Sequence, residues 1–128
     1  MRRLPVLAAG VLVVVTVTAV APASRMGRSS ICPRHLLSLG ENSIGPAAGA
    51  ALRRTRPADR PQVTSAAFAP ADRGRGPEAK FECGARVWRR TVVVHVTLRA
   101  SEPSASLSEK IFFVGRFKTG YRVWQVVH

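Results

Sequence analysis

The chain has 128 residues, with 20 Lys+Arg against seven Asp+Glu, a formal net charge of +13, and 46% hydrophobic residues. A chain this short holds one small domain with a modest core, which excludes a multidomain enzyme. The hydrophobic share excludes a wholly disordered chain, and the charge favours anionic partners over cationic ones.

Arg2 and Arg3 precede an uncharged apolar run from Leu4 to Val20, and Ala21-Pro22-Ala23 sets small side chains before Ser24. Charge, apolar run and small-residue cleavage site, in that order, are the features of a secretory signal peptide. Residues 1–23 are therefore expected to direct export, to the extracellular space or the cell envelope. The competing expectation is a retained N-terminal membrane anchor, although an apolar run of about 17 residues is short against the ~20 that a spanning helix needs. The leader holds two of the 20 basic residues and none of the seven acids, so its removal leaves a net charge of +11. Residues 24–31 read as a flexible basic tether, and residues 32–128 as a single small α+β domain.

The two cysteines, Cys32 and Cys83, both follow the leader. An even count in a small exported chain points to a disulfide. Closing a loop of about 52 residues stabilises by ~4 kcal/mol in the chain-entropy model. A metal site built from Cys32, His35 and Cys83 is the weaker alternative, because no CxxC or HxxxH spacing supports it. No cofactor is expected.

Asn42 or Ser43 is placed to cap a helix that tolerates Pro46 in its first turn. Ile44, Ala47, Ala48, Ala51 and Leu52 recur at helical spacing. Arg53, Arg54 and Arg56 complement the negative end of the helix dipole before Pro57. Gln62 to Ala69 reads as a strand between Pro61 and Pro70. Pro70 to Ala79, with Asp72, Gly74, Gly76 and Pro77, reads as a mobile turn-rich loop. Lys80 to Arg99 reads as one long half-buried strand. It carries Trp88, Val92, Val94, Val96 and Leu98 on the inner face, and Arg89, Thr91, Val93, His95, Thr97 and Arg99 on the outer. After a Pro/Ser connection, Lys110–Phe117 and Tyr121–Val127 read as a hairpin closed by Lys118-Thr119-Gly120, with glycine in the left-handed position. That register pairs Phe117 with Tyr121, Gly115 with Val123 and Phe113 with Gln125, and brings Val114 to Trp124. Both hairpin faces are apolar. One is expected to cover the helix, and the other to need the curl of the sheet, a ligand or a second copy. The second copy would pack through Phe112/Val114/Trp124 or Phe113/Tyr121.

The expected fold class is α+β, with one N-terminal helix packed on a four-stranded antiparallel meander. This order, ending in Gly120-Tyr121-Arg122-Val123-Trp124-Gln125-Val126-Val127, resembles the close of cystatin-like and NTF2-like domains. The resemblance implies a cystatin-like roll and leaves function open, because the loop motif through which cystatins inhibit cysteine proteases is not recognisable here.

No nucleophile elbow, phosphate loop or zinc signature is present. The most enzyme-like set is Glu82, Arg89, His95 and His128, with nearby arginines. A carboxylate base, a histidine acid and a phosphate-binding arginine are what metal-free RNA cleavage requires. The favoured expectation is instead a non-catalytic exported binding domain. It would use Arg89, Arg99, Arg116 and Arg122 as a cationic patch for an anionic envelope component, or meet a protein partner through an apolar face. No aromatic is interleaved on the polar face of the long strand, so base stacking is not indicated there.

Overall fold

The computed structural model describes Gly10, Val13, residues 31–100 and residues 108–128. The expected cleavage site, the tether as far as residue 30 and residues 101–107 of the Pro/Ser connection lie outside the described residues.

A 3-10 turn, Glu41–Ser43, leads into α1, Ile44–Arg53. The Ser43 hydroxyl accepts the Gly40 amide at 3.0 Å and bonds the Tyr121 hydroxyl at 2.9 Å, which pins the start of the helix to the sheet. Ala47, Ala50 and Ala51 are buried, and side chains this small let the helix backbone approach the strands closely. The helix is rotated slightly from the expected face. Leu52 is 38% exposed and Ala50 takes an inward place, because a leucine there would hold the helix away from the sheet.

Four strands follow: β1 Pro61–Phe68, β2 Thr91–Leu98, β3 Glu109–Phe117 and β4 Gly120–Val127. They pair antiparallel in the order β1-β2-β3-β4, so the α+β meander with a helix laid on it is the observed architecture. Val92, Val94, Val96 and Leu98 of β2 share one core with Phe112, Val114 and the α1 alanines. Their common parity is that of a pleated strand whose alternate side chains face one layer.

Two elements depart from expectation. The loop and the first half of the long strand are helical: α2 spans Gly76–Cys83 and α3 spans Ala85–Arg89. Pro77 and Glu78 suit the first turn of α2, where proline lacks only an N–H that would be unpaired anyway. Gly84 separates the two helices at φ 88, a conformation that favours glycine. The alternation in this stretch also changes phase. Phe81, Cys83, Ala85 and Val87 are odd-numbered, whereas Trp88 and Val92 to Leu98 are even-numbered. One unbroken strand cannot serve both sets.

Trp88 therefore does not face inward with Val92, Val94 and Val96. It packs on the opposite side of the sheet, where Ala69, Val93, Ile111 and Phe113 form a second core with Trp124 and Val127. The Thr91 hydroxyl donates to the Val87 carbonyl at 2.7 Å and holds α3 over the start of β2. The second apolar face of the hairpin is thus covered by the chain itself. Phe112, Phe113 and Val114 are 1% exposed or less, which removes them as a surface for a second copy.

The β3–β4 register also differs. Phe117 lies opposite Gly120, Arg116 opposite Tyr121, Gly115 opposite Arg122 and Val114 opposite Val123. An irregularity then makes Trp124 an extra residue, and the expected pairing of Phe113 with Gln125 is restored. The bulge turns Trp124 away from Val114, and its ring stacks on Phe113 with centroids 5.3 Å apart. Gly120 has a positive φ of 121, as the turn requires. The Cys32–Cys83 disulfide is formed, with Cα atoms 5.5 Å apart, and ties the segment ahead of α1 to the end of α2. No helix among the described residues is long and apolar enough to cross a membrane.

Candidate anion-binding surface

Charge pairing is uneven among the described residues. Asp59 is paired with Arg56 at 3.1 Å and Glu78 with Arg75 at 2.6 Å, while Asp72 and Glu109 are taken by His95. No ion pair among the described residues engages Arg34, Arg53, Arg54, Arg86, Arg89, Arg116 or Arg122.

Three of these arginines line one depression. A depression of about 500 Å³ between the end of α1 and the first half of β4 is lined by Ala50, Arg53, Arg54, Tyr121, Arg122 and Val123. The volume lies in the ~300–1,000 Å³ range of ligand pockets. Arg53 and Arg54 come from the helix, and Arg122 from the edge strand β4. Arg53 folds back along its helix, with a terminal nitrogen 3.5 Å from where a Cβ on Gly49 would stand. The helix C-terminus contributes roughly half a negative charge, against three full positive charges. The net field in the depression therefore favours an anion. Tyr121 is held in place by its bond to Ser43.

A second depression, of about 280 Å³, is lined by Pro33, Arg34, His35, Leu36, Arg86 and Val87. His35 sits at φ 61, a left-handed conformation that redirects the chain after Cys32. Arg34 lies two residues after Cys32 and Arg86 three after Cys83, so the disulfide sets them side by side. That was a signal available in the sequence: the expected bridge already implied the neighbourhood. The depression shared by Arg53, Arg54 and Arg122 had no such signal, because it depends on how the helix crosses β4.

The other candidate residues are dispersed. Arg116 and Arg122 occupy adjacent strand pairs and so project to opposite faces of the sheet. Arg89, the last residue of α3, lines an open depression with Leu39, Phe68, Pro70 and Ala71. Arg99 lies past the far end of β2, where its amide donates to the Arg60 carbonyl. Arg89, Arg116 and Arg122 share the hairpin end of the sheet, and Arg99 is apart from them.

The enzyme-like set is not joined. His95 Nε2 is 2.8 Å from Asp72 Oδ2 and Nδ1 is 3.2 Å from Glu109 Oε1. Both ring nitrogens thus face carboxylates of the protein, and no hydrogen bond or ion pair links Glu82, Arg89 and His95 to one another. Glu82 has one carboxylate oxygen buried without a partner. His128 is exposed beyond the end of β4. Burial alone would raise the Asp72 carboxyl. The Arg75 amide, the hydrogen bond and charge of His95 and the Gly76 amide outweigh it and hold Asp72 below its ordinary value. This arrangement clamps the 3-10 turn after β1 to the sheet. The metal reading of Cys32, His35 and Cys83 is corrected by the disulfide, which consumes both thiols. No cluster of three potential ligands occurs among the described residues.

In comparisons with known proteins, no family model, no curated protein and no solved structure matches the chain.

Proposed function

We propose that the chain is an exported, disulfide-stapled binding domain that holds an anionic group in the Arg53–Arg54–Arg122 depression and performs no catalysis on it. The observation that carries this reading is one depression lined by three arginines from two elements, with no carboxylate in its lining. Guanidinium forks recognise phosphate and carboxylate oxygens through paired, charge-assisted bonds. The leader-like residues 1–23 and the disulfide suit an oxidising compartment outside the cytosol. The cystatin-like and NTF2-like resemblance enters only as a kinship of architecture. A ribonuclease built on Glu82, Arg89 and His95 is the weaker reading, since His95 would first have to release one of its carboxylates.

The test is calorimetric titration of the purified protein with inorganic phosphate at low ionic strength. The expected result is saturable binding that weakens as salt rises and falls about tenfold in the Arg53→Ala/Arg122→Ala double variant, a loss of ~1.4 kcal/mol. Absence of binding, or RNA cleavage that disappears in His95→Ala, contradicts the reading.

A further inference from the structure

The two arginine-lined depressions are connected by the register of the hairpin. Arg122 lies opposite Gly115. A Cβ on Gly115 would stand 2.4 Å from Leu36 Cδ2, so Leu36 fills the space that this glycine leaves. Leu36 itself lines the second depression, beside Arg34, His35 and Arg86. The Leu37 amide donates to the Arg116 carbonyl at 2.8 Å, and Arg90 donates to the Leu36 carbonyl at 2.5 Å. The segment from Arg34 to Leu37 is therefore fixed against the strand pair that presents Arg122.

From these contacts we infer that the surface is a continuous track for a linear polymer of phosphate groups. The track begins between Arg53 and Arg54, rounds the outer edge of β4 at Arg122, and ends between Arg34 and Arg86. The inference rests on the anion-binding reading of the first depression and extends it from one anionic group to a repeating series. Arg34, Arg53, Arg54, Arg86 and Arg122 are all exposed. None has an ion pair among the described residues. Asp59, Asp72, Glu78 and Glu109 are committed to other partners, and neither they nor Glu41 and Glu82 line either depression.

Geometry favours phosphate over carboxylate. A carboxylate offers two coplanar oxygens, which one or two guanidinium forks saturate. A phosphate presents its oxygens in tetrahedral directions, which suits a depression whose arginines come from both a helix and a strand. Tyr121 and His35 are the rings lining the two depressions, one in each. Single-strand binders stack successive bases on successive aromatics, so one isolated ring per depression favours a polymer read by its backbone charge.

The experiment titrates the purified protein with orthophosphate, with polyphosphate chains of tens of units, and with polyglutamate of matched charge. The track predicts that long polyphosphate binds at least about tenfold tighter than orthophosphate. It also predicts a steeper dependence on salt, since each neutralised phosphate releases counterions. The Arg34→Ala/Arg86→Ala double variant should lose about tenfold in polyphosphate affinity, a larger loss than it shows toward orthophosphate. Its slope against log salt should fall by roughly 1–2. Both side chains are exposed, and an unchanged melting temperature confirms that the variant folds. If orthophosphate binds but chain length or the double substitution has no effect, the track is refuted and the single pocket stands. Equal binding of polyglutamate refutes the phosphate assignment. If neither phosphate form binds, both the track and the pocket fail.

Discussion

Replacing Gly76 with alanine should destabilise the domain, against the usual direction for a helical glycine. Alanine in place of glycine at a compatible helix position stabilises by ~0.4–1 kcal/mol, mainly by restricting the unfolded chain. Gly76 opens α2 and is buried, and its amide donates to the Asp72 carbonyl at 3.0 Å. A Cβ built there would stand 1.9 Å from the Ala69 carbonyl oxygen and 2.9 Å from its carbon. Both are backbone atoms, so no side-chain rotation relieves the overlap, and the 3-10 turn would have to move off the helix. Overpacking of this kind costs ~1–3 kcal/mol or more, which outweighs the entropic gain. At ~4–8 °C per kcal/mol for a domain of this size, the midpoint should fall by roughly 5–20 °C. Gly49→Ala is the control, since its added Cβ meets only an Arg53 terminal nitrogen at an ordinary 3.5 Å and the midpoint should rise slightly. Thermal unfolding followed by circular dichroism, with the disulfide intact, reads both. A Gly76→Ala variant that melts at or above wild type would refute the close packing of α2 on the turn after β1.

Other expectations follow from the same contacts. The folded state holds the Asp72 carboxyl below 3.8, so its contribution to stability is present above that value and is lost as pH falls through the folded pKa. Asp72→Asn should be less stable at neutral pH and lose less on acidification than wild type, as denaturant midpoints across acid pH would show. Replacing both Cys32 and Cys83 with serine should cost ~4 kcal/mol, much of the stability of a small domain, and lower the urea midpoint accordingly. Val94 is fully buried between Ala66 and Phe112, and Val94→Asp should abolish cooperative melting because the carboxylate would have no partner. A melt close to wild type would contradict the parity of β2.

Much of the fold was legible because its signals were local. Val92, Val94, Val96 and Leu98 announce a pleated face over a short stretch, and Pro61 and Pro70 bracket β1 closely. The disulfide followed from an even cysteine count. Residues 80–90 misled because Phe81, Cys83, Ala85 and Val87 also alternate with polar neighbours, and a strand continued backward through them looks continuous. The change of phase at Trp88 and the glycine at 84 were the physical warnings. The hairpin register failed by one residue near the turn and recovered beyond Trp124, because a bulge leaves no mark in composition. The site was less legible. Arg122 is a candidate from sequence, whereas position in the sequence marks Arg53 and Arg54 only as complements to a helix dipole. Their meeting with Arg122 depends on the angle at which α1 crosses β4, which the Ser43–Tyr121 bond helps to fix. His95 looked available on an outer strand face, and two carboxylates distant in sequence, Asp72 and Glu109, occupy its nitrogens instead.

The central claim is that an anion seats where α1 meets β4. The most direct measurement is a two-dimensional amide NMR spectrum of isotope-labelled protein, titrated with inorganic phosphate at low ionic strength. Saturable shifts are expected in the amides of Arg53, Arg54, Tyr121, Arg122 and Val123, with Asp72, His95 and Glu109 unmoved. Shifts confined to the His95 clamp, or none that saturate, would contradict it.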